Sequence, residues 1–196
     1  MVNVLLIAAT LILAVVAVWG ERIRQWWARP RLRLLLDEPN LTPITGTDKK
    51  GWYYQLRVVN ERKTSPASNT QVRLTKVFKK GPDVSWQERH FSGPVQVLWR
   101  WPDQIPQYAT IGADQHATFA RLLKGADAVE LCLYFTPNNL ETRISAHEPT
   151  RLHFIAVSDS AESEEFVIEV AWDGQWEEGR SEMEAHMTIK ESTSRG

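Results

Sequence analysis

The chain has 196 residues, 43% of them apolar and 24% charged, with a net charge of −1. That balance is ordinary for a globular protein and argues against a disordered chain, while a single cysteine excludes an internal disulfide or a thiol-rich metal site. The charge is uneven. Arg22, Arg24, Arg29, Arg31 and Arg33 precede Asp37 with only Glu21 against them, so residues 37–196 hold 18 basic and 23 acidic side chains, a net of −5. A mildly acidic body lacks the basic face expected of a nucleic-acid binder.

The first element is "VNVLLIAATLILAVVAVW", apolar throughout except for Asn3 and Thr10. About 18 helical residues at ~1.5 Å each reach ~27 Å, close to the ~30 Å hydrocarbon core of a bilayer. A cleaved signal peptide would need a basic start, a shorter apolar core and a small-x-small cleavage site, and this stretch has none of these. The run is therefore expected to be a transmembrane helix over residues 1–20, followed by a basic and aromatic juxtamembrane segment over 21–30. No Lys or Arg precedes the span and five Arg follow it. The bias of basic residues toward the cytoplasm then places the N-terminus outside and the body of the protein inside, at the inner membrane. Trp19, Trp26 and Trp27 suit headgroup depth, and Arg22, Arg24, Arg29 and Arg31 suit contact with anionic headgroups. Thr10 and Ala14 form one small-xxx-small pair, too little on its own to argue for helix dimerisation.

Pro30 stops any helix leaving the membrane, and "RLRLLLD" then alternates as a strand should. After the turn-rich "NLTPITGTDKKG", the run "WYYQLRVVN" places Tyr54, Leu56 and Val58 inward and Gln55 and Arg57 toward water. "TQVRLTKVF", "PVQVLWRW", "HATFARLL", "AVELCLYF", "TRLHFIAV" and "EFVIEVAW" follow, each bounded by Gly, Pro, Asn or Asp. Cys132, within the fourth of these, reads as a half-buried strand residue. "RSEMEAHM" fits either a short helix or, through Met183, Ala185, Met187 and Ile189, a strand.

About eight strand-like runs in about 150 residues, with no helices between them, predict an antiparallel β-sandwich over residues 31–191, with a closed barrel as second choice. Residues 192–196 read as a flexible tail. "LRVVNERKTSPASNTQVRLTKV" resembles bacterial immunoglobulin-like modules of the CARDB kind. In these a strand ends in V-x-N, a small-residue loop follows, and A-x-N-V-x-V opens the next strand. Val58, Val59 and Asn60, then Ala67, Asn69 and Val72, occupy the matching positions. Glu61 and Arg62 stand where that pattern has a glycine, as does Ala113 in "IGADQHATFARL". The closing "VIEVAWDGQWEEGRSEM" is similar to the ends of bacterial membrane-tethered proteins carrying such a domain. The resemblance covers roughly residues 50–178 and implies an all-β immunoglobulin-like fold with no catalytic residues.

Signatures of chemistry are sparse. His90, His116, His147, His153 and His186 show no metal-ligand spacing, and there is no nucleophile elbow or phosphate-binding loop. "DSAESEE" lacks the alternation and central glycine of a calcium loop. No cofactor, metal or catalytic residue is therefore assigned. The Asn40 sequon is idle on the cytoplasmic side. Tryptophan is the surplus, at 9 residues. Trp99 and Trp101 share a strand face with Val95 and Val97, and Trp176 follows a turn at Asp173–Gly174. Core packing is the plain reading of these side chains, and an exposed surface formed by Trp99, Trp101 and Trp176 for a partner or ligand is the functional one. The expected function is a non-enzymatic, membrane-anchored interaction module binding a protein partner. An extracytoplasmic carbohydrate-binding domain of inverted topology and a membrane-bound enzyme with a scattered site are the alternatives.

Overall fold

The computed structural model of the protein describes residues 29–36, 41–44, 50–81, 83, 85–100 and 107–192, with Thr10, Leu13, Ala14, Trp19 and Gly20 near the N-terminus. Two antiparallel sheets make up the body. The first is built on β3 (Gly51–Asn60) paired with β9 (Asp114–Leu123). Along the other edge of β3 lie β1 (Leu32–Leu35) and β2 (Leu41–Pro43). Along that of β9 lie β7 (Leu98–Trp99) and β10 (Ala128–Leu131), which carries β11 (Arg143–Ser145). The spine of the second sheet is β4 (Ala67–Lys80), flanked on one side by β12 (Thr150–Val157), β13 (Phe166–Trp172) and β14 (Met187–Glu191) in that order. On its other side β8 (Ala109–Ile111), β6 (Val95–Gln96) and β5 (Trp86–Glu88) follow one another.

The alternation read from the sequence is what fills the space between the sheets. Tyr54, Leu56 and Val58 of β3 are 1%, 0% and 0% exposed, and Leu152, Phe154 and Ala156 of β12 are 0%, 1% and 0% exposed. Phe119 of β9 meets Phe154 edge-on across the sandwich, with ring centroids 5.9 Å apart. A bulge delivers that contact. Tyr54 faces Ala120 while Gln55 faces Thr118, leaving Phe119 as the extra residue of its strand. Thr75 plays the same part in β4, between Leu74 opposite Phe154 and Lys76 opposite His153, and its hydroxyl donates to the His153 carbonyl at 3.1 Å.

Several elements differ from the sequence reading. Gln55, placed toward water by alternation, is 5% exposed; its side-chain oxygen accepts from Thr42 Oγ1 at 3.2 Å, under cover of β2. "PVQVLWRW" is not one strand. β6 pairs with β4 in the second sheet and β7 with β9 in the first, so the chain changes sheets at Val97, whose N–H donates to the Val72 carbonyl at 2.8 Å. Cys132 lies just past β10 and is 6% exposed, buried rather than half-buried, and burial pushes its thiol pKa up to about 12. "RSEMEAHM" is both things in turn: a helix over Arg180–His186 buries Met183 at 0%, and β14 begins directly at Met187. A helical repeat gives way there to a period of two, because β14 takes its register from β13.

The described residues of the apolar N-terminal run are helical, with Leu13 68% and Trp19 54% exposed. No helix among the described residues is long and apolar enough to cross a membrane. Most of residues 1–20, and Arg22, Arg24, Trp26 and Trp27 of the juxtamembrane segment, lie outside the described residues.

Candidate functional site

Of the arginines read as a membrane interface, Arg29 and Arg31 are described, and both are exposed. Pro30 between them is buried, so the folded domain starts at that residue. Asn60, at the end of β3 and 0% exposed, fixes this entry point. Its side-chain oxygen accepts from the N–H groups of Arg31 at 3.2 Å and Arg62 at 3.1 Å. Its amide donates to the carbonyls of Ser65 at 2.7 Å and Ile111 at 3.2 Å. One buried amide thus ties together the entering chain, the β3–β4 turn and the start of the β8–β9 turn, and its full bonding capacity is used, as burial requires. The same turn bonds the entering chain a second time, through Arg62 Nη1 and the Arg29 carbonyl at 3.2 Å. In the sequence Asn60 stands out only as part of a strand-ending pattern, and nothing local connects Arg62 or Lys63 with the arginines before Pro30.

A cleft of about 570 Å³ opens beside this entry point. One wall is β1 with Arg31, Arg33 and Glu61; the other is the β12–β13 loop with Glu162, Glu164 and Glu165, together with Glu191. Glu61 lies 3.9 Å from Arg31 Nε and 3.7 Å from Arg33 Nη1. Across the cleft, Glu165 lies 3.4 Å from Lys76 Nζ and 3.2 Å from His153 Nδ1. Burial holds the His153 pKa below the ordinary imidazole value and outweighs the pull of Glu165. For Glu165 burial acts upward, but contact with His153 and Lys76 leaves its pKa below the usual carboxylate range. A second, shallower cleft of about 360 Å³ is lined by Asn69, Gln71, Arg73, Tyr108 and Asp159.

The tryptophans separate. Trp99 is 3% exposed and belongs to the core, so the expectation that it forms part of a surface is corrected: β7 turns its ring between the sheets. Trp101 lies outside the described residues. Trp176 is half-buried against the core, with Lys124 Nζ 5.2 Å from its ring centre and its indole nitrogen buried without a hydrogen-bond partner. Among the described residues of the body, the exposed aromatic side chains are instead Tyr108 at 49%, Tyr134 at 50% and Phe135 at 55%. Tyr134 and Phe135 had been read as the end of a continuous apolar strand. β10 stops at Leu131; beyond it Cys132 bonds to Phe119 and Leu98, Leu133 bridges to Val97 and Tyr134 N–H donates to the Gln96 carbonyl, so the run passes from β9 to the segment that changes sheets. Trp86, not singled out from sequence, lies beneath Arg151 at 4.2 Å and Lys80 at 5.3 Å.

Ionisable groups elsewhere serve structure. Lys79, 2% exposed, bonds Glu148 at 3.0 Å and Glu141 at 2.8 Å, joining β4 of the second sheet to the loops on either side of β11 in the first. His186 lies 2.7 Å from Asp173, fastening the helix to the turn after β13, and this contact holds the Asp173 pKa low against slight burial acting the other way. Among the described residues, no three His, Cys, Asp or Glu side chains are grouped to hold a metal ion.

No family model matches the chain, and neither a curated protein nor a solved structure matches it.

Proposed function

We propose that the protein is a single-pass inner-membrane protein with its N-terminus outside, holding an immunoglobulin-like β-sandwich at the cytoplasmic face as a non-enzymatic module that binds a protein partner. The observation that carries this reading is the charge directly after the apolar run: five Arg against one acid, Glu21, before Asp37. The fold supports it by starting at Pro30, one residue beyond Arg29, which keeps the domain on a short tether. Confinement of that kind raises the effective concentration of the domain for any partner at the same membrane. Strand β14 ends the second sheet with Thr188 and Lys190 exposed, an edge to which an extended partner segment could add.

The competing reading, a carbohydrate-binding domain outside the cytoplasm, loses Trp99 as a stacking surface because that ring is in the core, and keeps Trp176. Fusions at the C-terminus separate the two. Fluorescence from a green fluorescent protein fusion with an inactive alkaline phosphatase fusion is expected; active phosphatase would place the sandwich outside and sink the cytoplasmic reading.

A further inference from the structure

We propose that the end of the sandwich where the chain enters is itself a lipid-facing surface: the Arg62–Lys63 turn joins Arg29, Arg31 and Arg33 on anionic headgroups, and the domain leans onto its first sheet. The inference rests on the membrane-anchored reading and adds to it an orientation and two side chains from a part of the chain remote from the anchor.

The surface is assembled by the fold. Arg29, Arg31 and Arg33 reach it directly from the entering chain, whereas Arg62 and Lys63 arrive through β3 and are locked beside them by Asn60 and by the Arg62–Arg29 bond. Among the described residues of this turn and the entering chain, the five cations face one carboxylate, Glu61. The other acid nearby, Asp114, is 3.9 Å from Arg57. The second sheet has the opposite character at the same end. Its β12–β13 loop is held against the start of β4 by Asp159 N–H to the Ser68 carbonyl at 3.2 Å and by Asn69 to Asp159 at 2.8 Å. That loop presents Glu162, Glu164 and Glu165 across the cleft from Arg31 and Arg33.

A domain with cations on one half of its tethered end and carboxylates on the other is not indifferent to how it meets an anionic bilayer. The nine residue steps from Gly20 to Arg29 span at most about 30 Å even when extended, so the end stays near the surface. Salt screens the attraction to the headgroups within ~8 Å at physiological ionic strength, so the half that touches the headgroups decides the orientation. Each cation near such a surface favours contact by roughly fivefold, so Arg62 and Lys63 together shift the ratio of docked to undocked domain by roughly 25-fold. The acidic loop is driven the other way, which leaves the cleft open toward the aqueous side.

The test uses the full chain in lipid nanodiscs, either neutral phosphatidylcholine or phosphatidylcholine with phosphatidylglycerol, carrying a headgroup nitroxide quencher. A fluorophore is attached at Thr64→Cys or Ser160→Cys, both exposed positions. Quenching at position 64 is expected to be strong in anionic discs, weaker in neutral discs and weakened by high salt, with position 160 little quenched throughout. The double variant R62A/K63A should reduce the anionic response at position 64, while S68A, a change on the other half of the same end, should leave it intact. Equal quenching at positions 64 and 160, or no difference between anionic and neutral discs, would overturn the proposed orientation alone. A chain that does not enter discs of either composition would overturn the anchored reading and this inference with it.

Discussion

Replacing Asn60 by alanine removes four hydrogen bonds from a side chain that is 0% exposed. A typical internal hydrogen bond contributes about 0.5–1.5 kcal/mol net, and a buried group left unpaired costs about 1–3 kcal/mol. The Ile111 carbonyl is deep enough to be orphaned, whereas water can reach Ser65 and Arg62 at the end of the sandwich, so a loss of about 3 kcal/mol is expected. Urea unfolding followed by tryptophan fluorescence reads this directly. With a slope of about 2 kcal/mol per molar for a domain of this size, the midpoint should fall by about 1.5 M. Asn60→Asp keeps the acceptor for the Arg31 and Arg62 N–H groups but turns the donor toward Ser65 and Ile111 into a second acceptor, so it should lose at least as much at neutral pH. Amide exchange at Arg31 and Arg62 should quicken in both variants. A midpoint shift below about 0.3 M, with exchange unchanged, would refute the view that Asn60 organises the entry point.

Trp99→Ala should cost about 3–5 kcal/mol in the same unfolding assay, as a large core ring does, whereas half-buried Trp176→Ala should cost about 1–2 kcal/mol; equal losses would contradict the separation of the two rings. The pKa of His153 is depressed in the folded state, so the unfolded chain takes up the proton first as pH falls. Its contribution is therefore whole above the ordinary value of 6.5 and is lost as pH drops through the folded-state value. The urea midpoint should decline in that range and the decline should flatten in His153→Gln; an unchanged slope would contradict it. The Cys132 thiol, 6% exposed with its pKa pushed up to about 12, should resist a thiol reagent at neutral pH until denaturant is added, and rapid labelling of the folded chain would be contrary to the structure.

The strands with strict alternation were legible. In β13, Ile168, Val170 and Trp172 are 0%, 0% and 2% exposed with Glu169 and Ala171 half-buried between them, and Val167 at 3% is the one departure from a period of two. Where the reading failed, the cause lay in contacts between distant segments. Nothing local in "PVQVLWRW" tells that Val95 belongs to one sheet and Trp99 to the other; that is decided by pairing with β4 and with β9. The burial of Gln55 depends on β2, a three-residue strand within a stretch read as turns. The same limit applies at the candidate site. The arginines before Pro30 stand out because they are adjacent in sequence. Arg62 and Lys63 join them because β3 pairs with β1, Asn60 bonds to Arg31, 29 residues away, and Arg62 bonds to Arg29. Trp99 was ambiguous because a β-strand face says which side chains point together, and the opposite sheet decides whether that side is covered.

Protease protection tests the central claim of an anchored, cytoplasmic sandwich most directly. In intact spheroplasts the domain should survive added protease, and in inverted membrane vesicles it should be digested, with the chain staying in the membrane fraction after alkaline carbonate washing. Digestion in intact spheroplasts, or release of the whole chain by carbonate, would contradict the account.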